Sequence, residues 1–162
     1  MPSQGPVKVL IVDDHIGIRS GVTSVMNAEW PLISCVGAAG TTHEALHLAR
    51  ERQPHVVVLD VNLADVDGLA LIPSLKDLAR CEIVVLTSLS DPRVAARARR
   101  FGAHACVNKT APAAQLVAAV FAAYQAGNPT SLNVGGALSR PVGSKHPSAQ
   151  GNCADADNDT DA

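Results

Sequence analysis

The sequence predicts an α/β domain built on a five-stranded parallel sheet. Three observations carry that reading. Short apolar runs rich in Val and Ile recur five times between residues 7 and 127, and stretches with helical spacing separate them. The first, third and fourth runs are almost continuously apolar, which is the pattern of a parallel strand covered on both faces. Strict alternation of strand and helix implies one sheet with helices on both sides, joined by right-handed crossovers.

The first strand is Val7–Val12, after a short loose leader at 1–6. Ile18, Val22 and Val25 then recur at i, i+4 and i+7, the apolar stripe of a first helix. Ile33–Ala38 is the second strand. Ala45, Leu48 and Ala49 mark the next helix, which Thr41-Thr42 with Glu44 opens and Pro54 closes. Val56–Leu59 is the third strand, and Leu69–Leu78 the helix after it. Ile83–Leu86 follows. Asp91-Pro92, an N-cap with proline at the first helical position, then starts a helix over Arg93–Phe101. Ala105–Val107 and Ala113–Tyr124 are the last strand and helix. The domain is thus expected over 7–127. Residues 128–162 hold few large apolar side chains, and four Asp fall in the last eight positions. They cannot bury enough surface to offset ordering entropy and are expected to be a disordered acidic tail.

Composition excludes several functions. Among 162 residues, thirteen Lys+Arg against fifteen Asp+Glu leave a net charge of −2, and only 2% are aromatic. That is neither a phosphate-backbone binder nor a base-stacking surface, so direct nucleic-acid binding is not expected. The longest apolar run, Leu116–Tyr124, falls well short of the roughly 18 residues of a membrane span. Cys35, Cys81, Cys106 and Cys153 form no CxxC pair and read as reduced core thiols of a cytoplasmic protein.

In such a sheet, ligands sit beyond the carboxyl ends of the strands, where strand order reverses. The first strand ends in Asp13-Asp14, the third in Asp60, the fourth in Thr87-Ser88 and the fifth in Asn108-Lys109. Three carboxylates crowded together repel and need compensation. Lys109 supplies one positive charge and a divalent cation two more, so the edge reads as a Mg²⁺ site with oxygen ligands. A carboxylate beside such a cation can act as a nucleophile toward phosphorus, with Lys109 and Thr87 holding the oxygens of the transferred group.

At these residues the chain closely resembles the receiver domains of two-component response regulators, over about residues 7–126. The resemblance rests on Val-Leu-Ile-Val-Asp13-Asp14-His15, His55-Val-Val-Val-Leu-Asp60-Val-Asn62-Leu, Asp67-Gly68, Val-Val-Leu-Thr87-Ser88 and Cys106-Val-Asn-Lys109. The Asp-Asp-His opening and Lys109-Thr-Ala-Pro112 look most like the NarL/FixJ subfamily, whose members carry a C-terminal LuxR-type helix-turn-helix. No helix pair for such an output domain is visible after Tyr124. The resemblance implies a flavodoxin-like (βα)₅ fold with strand order 2-1-3-4-5. It implies that Asp60 is the phosphoacceptor, that Asp14 binds Mg²⁺ directly and Asp13 largely through water, and that the Asn62 backbone carbonyl is a further ligand. Thr87 would hydrogen-bond the phosphoryl group and Lys109 would pair with it. The implied donor is a phosphohistidine on a sensor kinase or phosphotransfer protein, and the chain would be a phosphoacceptor rather than a turnover enzyme.

Three positions depart from the family pattern. Ala64 stands where proline is usual, which is expected to loosen the loop after the acceptor. Thr110 rather than proline follows Lys109. Cys106 replaces the common Tyr or Phe, so an aromatic ring swing is unavailable to report on Thr87.

Other readings fit less well. A haloacid-dehalogenase-type phosphatase needs an Asp where this chain has Asn62. A cobalamin module needs Asp-x-His-x-x-Gly, and a dinucleotide site needs a Gly-rich first turn. Asp155–Asp161 imitates the start of an EF-hand loop but has Thr160 where that loop needs Gly. Arg93, Arg97, Arg99 and Arg100 read as a solvated basic face, with contact to an acidic partner as the alternative. The histidines, His15 among them, are dispersed and read as structural or surface residues. No charged residue occurs from Thr110 through Ser139. The last helix is expected to bury Leu116, Val117, Val120 and Phe121 and to show Gln115, Ala118, Ala119, Ala122 and Gln125. That face, with Arg19–Asn27 of the first helix, suits a homodimer or partner contact. The expected function is a stand-alone receiver that takes a phosphoryl group on Asp60 and signals by protein contact. The alternatives are a phosphate sink or adaptor without output, and the remnant of a LuxR-type regulator acting through a DNA-binding partner.

Overall fold

The computed structural model describes residues 5–64, 66–88 and 90–128. Most of the expected leader, the expected acidic tail and Cys153 lie outside the described residues. The main strands are β1 (Val7–Val12), β2 (Ile33–Ala39), β3 (Val56–Asp60), β4 (Glu82–Thr87) and β5 (Ala105–Asn108). The α-helices are α1 (Ile16–Asn27), α2 (Thr42–Arg52), α3 (Ile72–Ala79), α4 (Pro92–Phe101) and α5 (Ala113–Gly127). The five strands form one sheet in the order β2-β1-β3-β4-β5, all neighbours parallel. This is the expected flavodoxin-like arrangement, with strand order reversing at β1 and β3.

Alternation along each strand sends side chains to two separate cores. Leu10, Val12, Val57, Leu59, Ile83 and Val85 face Ala45 and Ala49 of α2, Ile72, Leu75 and Ala79 of α3, and Ala98 of α4. Val9, Ile11, Val56, Val58, Val84 and Leu86 face Met26 of α1 and Leu116, Val120 and Ala123 of α5. All five residues of β3 are buried, which explains its unbroken apolar run.

The helix signals act largely as read. The Thr41 side chain accepts from the Glu44 amide, and Glu44 reaches back to the Gly40 amide at 2.8 Å. The Asp91 carboxylate caps α4 through the Arg93 amide at 2.8 Å. Pro54 does close α2, whose C-cap, Gln53, is left-handed at φ 47°.

Several details differ from expectation. The helix expected over Leu69–Leu78 is split: Gly68–Leu71 is a 3₁₀ turn and α3 begins at Ile72, with proline in its first turn. In α5 the core stripe is Leu116, Val120 and Ala123, while Val117 and Phe121 are only half-buried, as is Ala119. Of the described cysteines only Cys81 is a fully buried core thiol, its pKa raised to about 11 by burial; Cys35 and Cys106 are half-buried. An element not foreseen is a short antiparallel ribbon after β3, pairing Asn62 with Asp67 and Leu63 with Val66. Ala64, expected to loosen this loop, sits in its turn at φ 54° and is anchored instead: its amide donates to Asp14 Oδ2 at 2.8 Å.

Candidate functional site

The parallel register brings every strand-end residue of interest to one edge. Asp60, the last residue of β3, pairs with Leu86, so Thr87 lies one step beyond it on β4. Thr87 in turn pairs with Asn108 of β5, and the Lys109 amide donates to the Thr87 carbonyl at 2.8 Å. Asp13 and Asp14 follow β1 directly, and the Asp13 amide donates to Ala39 at the end of β2. Asp13, Asp60 and Thr87 are the polar residues buried in the described domain.

A single ammonium ties the edge together. Lys109 Nζ lies 3.1 Å from Asp13 Oδ2 and 3.1 Å from Asp60 Oδ1, and its side chain is only 13% exposed. Asp60 Oδ1 also accepts from the Asn62 amide at 3.3 Å. Burial pushes the Asp60 carboxyl above the usual carboxylate range; Lys109 offsets part of that, and the Asp13 charge adds to it. For Lys109, burial favours the neutral amine, but Asp60 and Asp13 outweigh it and hold the ammonium above its ordinary pKa. The pocket thus favours the ammonium form of Lys109 while disfavouring the ionised form of Asp60.

The acidic groups are not all satisfied by protein. Asp13 Oδ2 has the Lys109 ammonium beside it, but Asp14 Oδ1 is buried and accepts no hydrogen bond. Ligand atoms of Asp13, Asp14, His15 and Asp60 lie within 4.8 Å of one another. Three carboxylates facing one ammonium leave uncompensated negative charge in a largely dehydrated place. That donor set fits a hard divalent cation.

Three supporting residues escaped the sequence reading. Arg19 Nη1 donates to the Asp13 carbonyl at 2.7 Å and fixes the loop after β1. The Ala64 amide orients Asp14. His15, read from sequence as structural or surface, places Nδ1 3.2 Å from Asp14 Oδ1 and 3.4 Å from Asp13 Oδ1. Its position directly after Asp13-Asp14 was the available signal. Gly68, in the quoted Asp67-Gly68 pair, has a steric role: a Cβ there would lie 2.1 Å from the Asp60 carbonyl oxygen. Its amide donates to the Val61 carbonyl at 2.6 Å, closing the ribbon onto the end of β3. Asp67 caps the 3₁₀ turn through the Leu69 amide and pairs with Arg97 of α4. Arg97 therefore belongs to an ion pair and not to a freely solvated basic face.

Comparison with known proteins identifies the family. The family model for the response regulator receiver domain matches residues 9–121. Response regulator protein VraR of Staphylococcus saprophyticus is 31% identical over 120 residues, covering 74% of this chain and 57% of VraR. VraR of Staphylococcus aureus is 31% identical over 115 residues, covering 70% of this chain and 54% of that protein. The chain thus matches little more than half the length of these relatives. Among solved structures, a LuxR-family response regulator from Aurantimonas superposes with a TM-score of 0.69 at 27% identity, covering 75% of this chain and 86% of that one. The signal receiver domain of NarL from Mycobacterium tuberculosis shares the fold, with a TM-score of 0.70 at 23% identity over 75% of this chain and 98% of that one. The chain belongs to the receiver domain family of two-component response regulators.

Proposed function

We propose that residues 7–127 accept a phosphoryl group on Asp60 from a phosphohistidine donor, in a reaction that needs a divalent cation, Mg²⁺ in the simplest case. The observation that carries this reading is the meeting of Asp13, Asp60 and Lys109 within 3.1 Å contacts at one sheet edge, beside the buried Asp14 Oδ1, which accepts no hydrogen bond. An Asp60 carboxylate oxygen attacks phosphorus. The P–O bond forms as the P–N bond to the donor imidazole breaks, and the departing imidazole takes up a proton from solvent. Lys109, already beside Asp60, pairs with the negative charge brought in, and the Thr87 hydroxyl donates to a phosphoryl oxygen. Asp13, Asp14, Asp60 and the Asn62 carbonyl would hold the cation, which supplies charge neutralisation at the phosphoryl oxygens. The product is a phosphoacceptor in a changed charge state, not a turnover catalyst. Its natural donors are sensor histidine kinases or phosphotransfer proteins of the cytoplasm.

The signal leaves by protein contact in this reading. Between α1 and α5 runs a groove of about 570 Å³ lined by Val25, Ala28, Glu29, Val117, Ala118 and Phe121 among others. The exposed face of α5 carries Gln115, Ala118, Ala122 and Gln125 and no charge. Small uncharged residues beside half-buried Val117 and Phe121 suit a second copy of the chain. Among the described residues no helix is long and apolar enough to cross a membrane.

Incubation with acetyl phosphate, with and without Mg²⁺, followed by intact-mass analysis tests the central claim. Wild type should gain one phosphoryl group only with the cation, and Asp60→Ala should gain none. Equal labelling of Asp60→Ala would remove Asp60 from the role. Sedimentation of the chain with and without the phosphoryl mimic beryllofluoride tests the dimer face; a strict monomer in both states would exclude it.

A further inference from the structure

His15 stands at the mouth of the acidic pocket in a position its structural role does not require. It is the N-cap residue of α1, yet its side chain makes no capping hydrogen bond. Its backbone already does the local work, the amide donating to Asp13 Oδ1 at 2.8 Å. The ring nonetheless turns toward the carboxylates, with Nδ1 3.2 Å from Asp14 Oδ1 and 3.4 Å from Asp13 Oδ1. Those separations are within hydrogen-bonding reach, but neither oxygen accepts a hydrogen bond from the ring, and Asp14 Oδ1 accepts none at all. Asp14 Oδ2 is the oxygen taken by the Ala64 amide. The oxygen left over therefore faces an imidazole nitrogen 3.2 Å away. A shared cation satisfies such a pair, because a carboxylate oxygen and an unprotonated imidazole nitrogen each have a lone pair to donate and here lie close enough to reach one ion.

An imidazole nitrogen changes which cation the pocket prefers. Mg²⁺ takes oxygen ligands and keeps much of its water. Ions of the first transition row accept nitrogen readily, and increasingly so from Mn²⁺ toward Ni²⁺ and Cu²⁺. We propose that His15 is a nitrogen ligand to the bound cation and shifts the pocket's preference from Mg²⁺ toward Mn²⁺ and the later first-row divalent ions. The proposal rests on the cation-binding reading of the same pocket and adds a donor that the carboxylates alone do not provide. The ring is 69% exposed, so it can move the short distance needed to ligate without disturbing the core.

The test uses the full chain at pH 8. Pulsed electron paramagnetic resonance of bound Mn²⁺ reads directly coordinated ¹⁴N as modulation of the echo. Wild type should show that modulation. His15→Gln, at an exposed position that leaves the fold intact by circular dichroism, should lose it. Calorimetric titration should show Mn²⁺ affinity falling about tenfold in His15→Gln while Mg²⁺ affinity stays the same. Mn²⁺ bound by wild type without nitrogen modulation would overturn the proposal. So would modulation that survives in His15→Gln, or an equal change in affinity for both ions. Asp14→Asn separates the two levels of the argument. If it abolishes Mg²⁺ binding while His15→Gln changes nothing, the pocket stands and the nitrogen ligand falls. If wild type binds neither ion, the cation-binding reading falls and the nitrogen ligand with it.

Discussion

The Lys109 ammonium reaches from the end of β5, past β4, to lie 3.1 Å from Asp60 Oδ1 at the end of β3. The same nitrogen is 3.1 Å from Asp13 Oδ2. It is thus an internal cation in a pocket suited to an external one, and the two compete. Lys109→Met should therefore bind divalent cations several-fold more tightly by calorimetry. Without added cation it should lose about 3 kcal/mol of stability at neutral pH, because carboxylates are left buried without a counter-charge. Weaker cation binding would mean that Lys109 shapes the pocket more than it competes for it.

Asp60 sets a second expectation, through linkage. Its carboxyl titrates higher in the folded chain than in the unfolded one, chiefly because it is buried. The folded state therefore holds a proton to higher pH than the unfolded state does. Stability falls as pH rises through that window, and the deficit is complete above the folded pKa. Asp60→Asn, which removes the charge and keeps the shape, should be more stable than wild type at pH 7. The advantage should shrink as pH drops toward the ordinary Asp value. Urea denaturation at both pH values measures this; an advantage that grows in acid would contradict it.

His55 gives a pH dependence of the opposite sign at the other end of the sheet. Its Nδ1 accepts from the Lys8 amide at 2.9 Å and its ring packs edge-on against Tyr124 at 5.1 Å. Burial, with Lys8 adding to it, lowers its pKa. The neutral ring is the folded form, so its contribution is fully present above the unfolded value of about 6.5 and is lost as pH falls through that value toward the folded one. Thermal melts of wild type should drop across that range, and His55→Asn, which retains an acceptor, should flatten the curve. An unchanged slope in the variant would assign the dependence to other groups.

Gly68 touches the backbone of Asp60 so closely that no side chain fits. A Cβ would lie 2.1 Å from the Asp60 carbonyl oxygen and 2.9 Å from that of Val61. Gly68→Ala should cost about 3 kcal/mol in urea denaturation, since backbone on both sides must move. Phosphoryl uptake from acetyl phosphate should fall with it. A variant of wild-type stability would show that the ribbon yields freely.

Ala64 carries a left-handed backbone at φ 54° and donates its amide to Asp14. Glycine relieves that conformation, so Ala64→Gly should be neutral or more stable by up to about 1 kcal/mol. Proline cannot adopt the angle and has no amide to donate. Ala64→Pro should therefore cost roughly 2–3 kcal/mol unless the ribbon refolds. Chemical denaturation of the two variants gives opposite signs if the ribbon is built as described.

The strands were legible because β1, β3 and β4 are covered on both faces, so their burial is written as unbroken runs of Val, Ile and Leu. The strand-end residues were legible for the same reason: once a strand's end is known, so is the pocket residue. What escaped reading depends on contacts across sequence. The ribbon at Asn62–Asp67 follows from pairing and from Gly68 closing against Asp60, and no local pattern announces either. Arg19 looks like any helix cation until the fold brings it to the Asp13 carbonyl. Leu116, Val117, Val120 and Phe121 suggest one buried side of α5, but the stripe turns toward Ala123, which is fully buried while Phe121 is half-buried.

The counter-charge to Asp13 and Asp60 comes from the residue that follows β5, so during synthesis on the ribosome the acidic residues emerge long before their ammonium does. Until β5 docks, the three carboxylates have backbone amides to accept from but no ammonium to offset their repulsion. A nascent chain halted before residue 109 would thus keep that edge open and hydrated, and only a chain extended past Lys109 could close it.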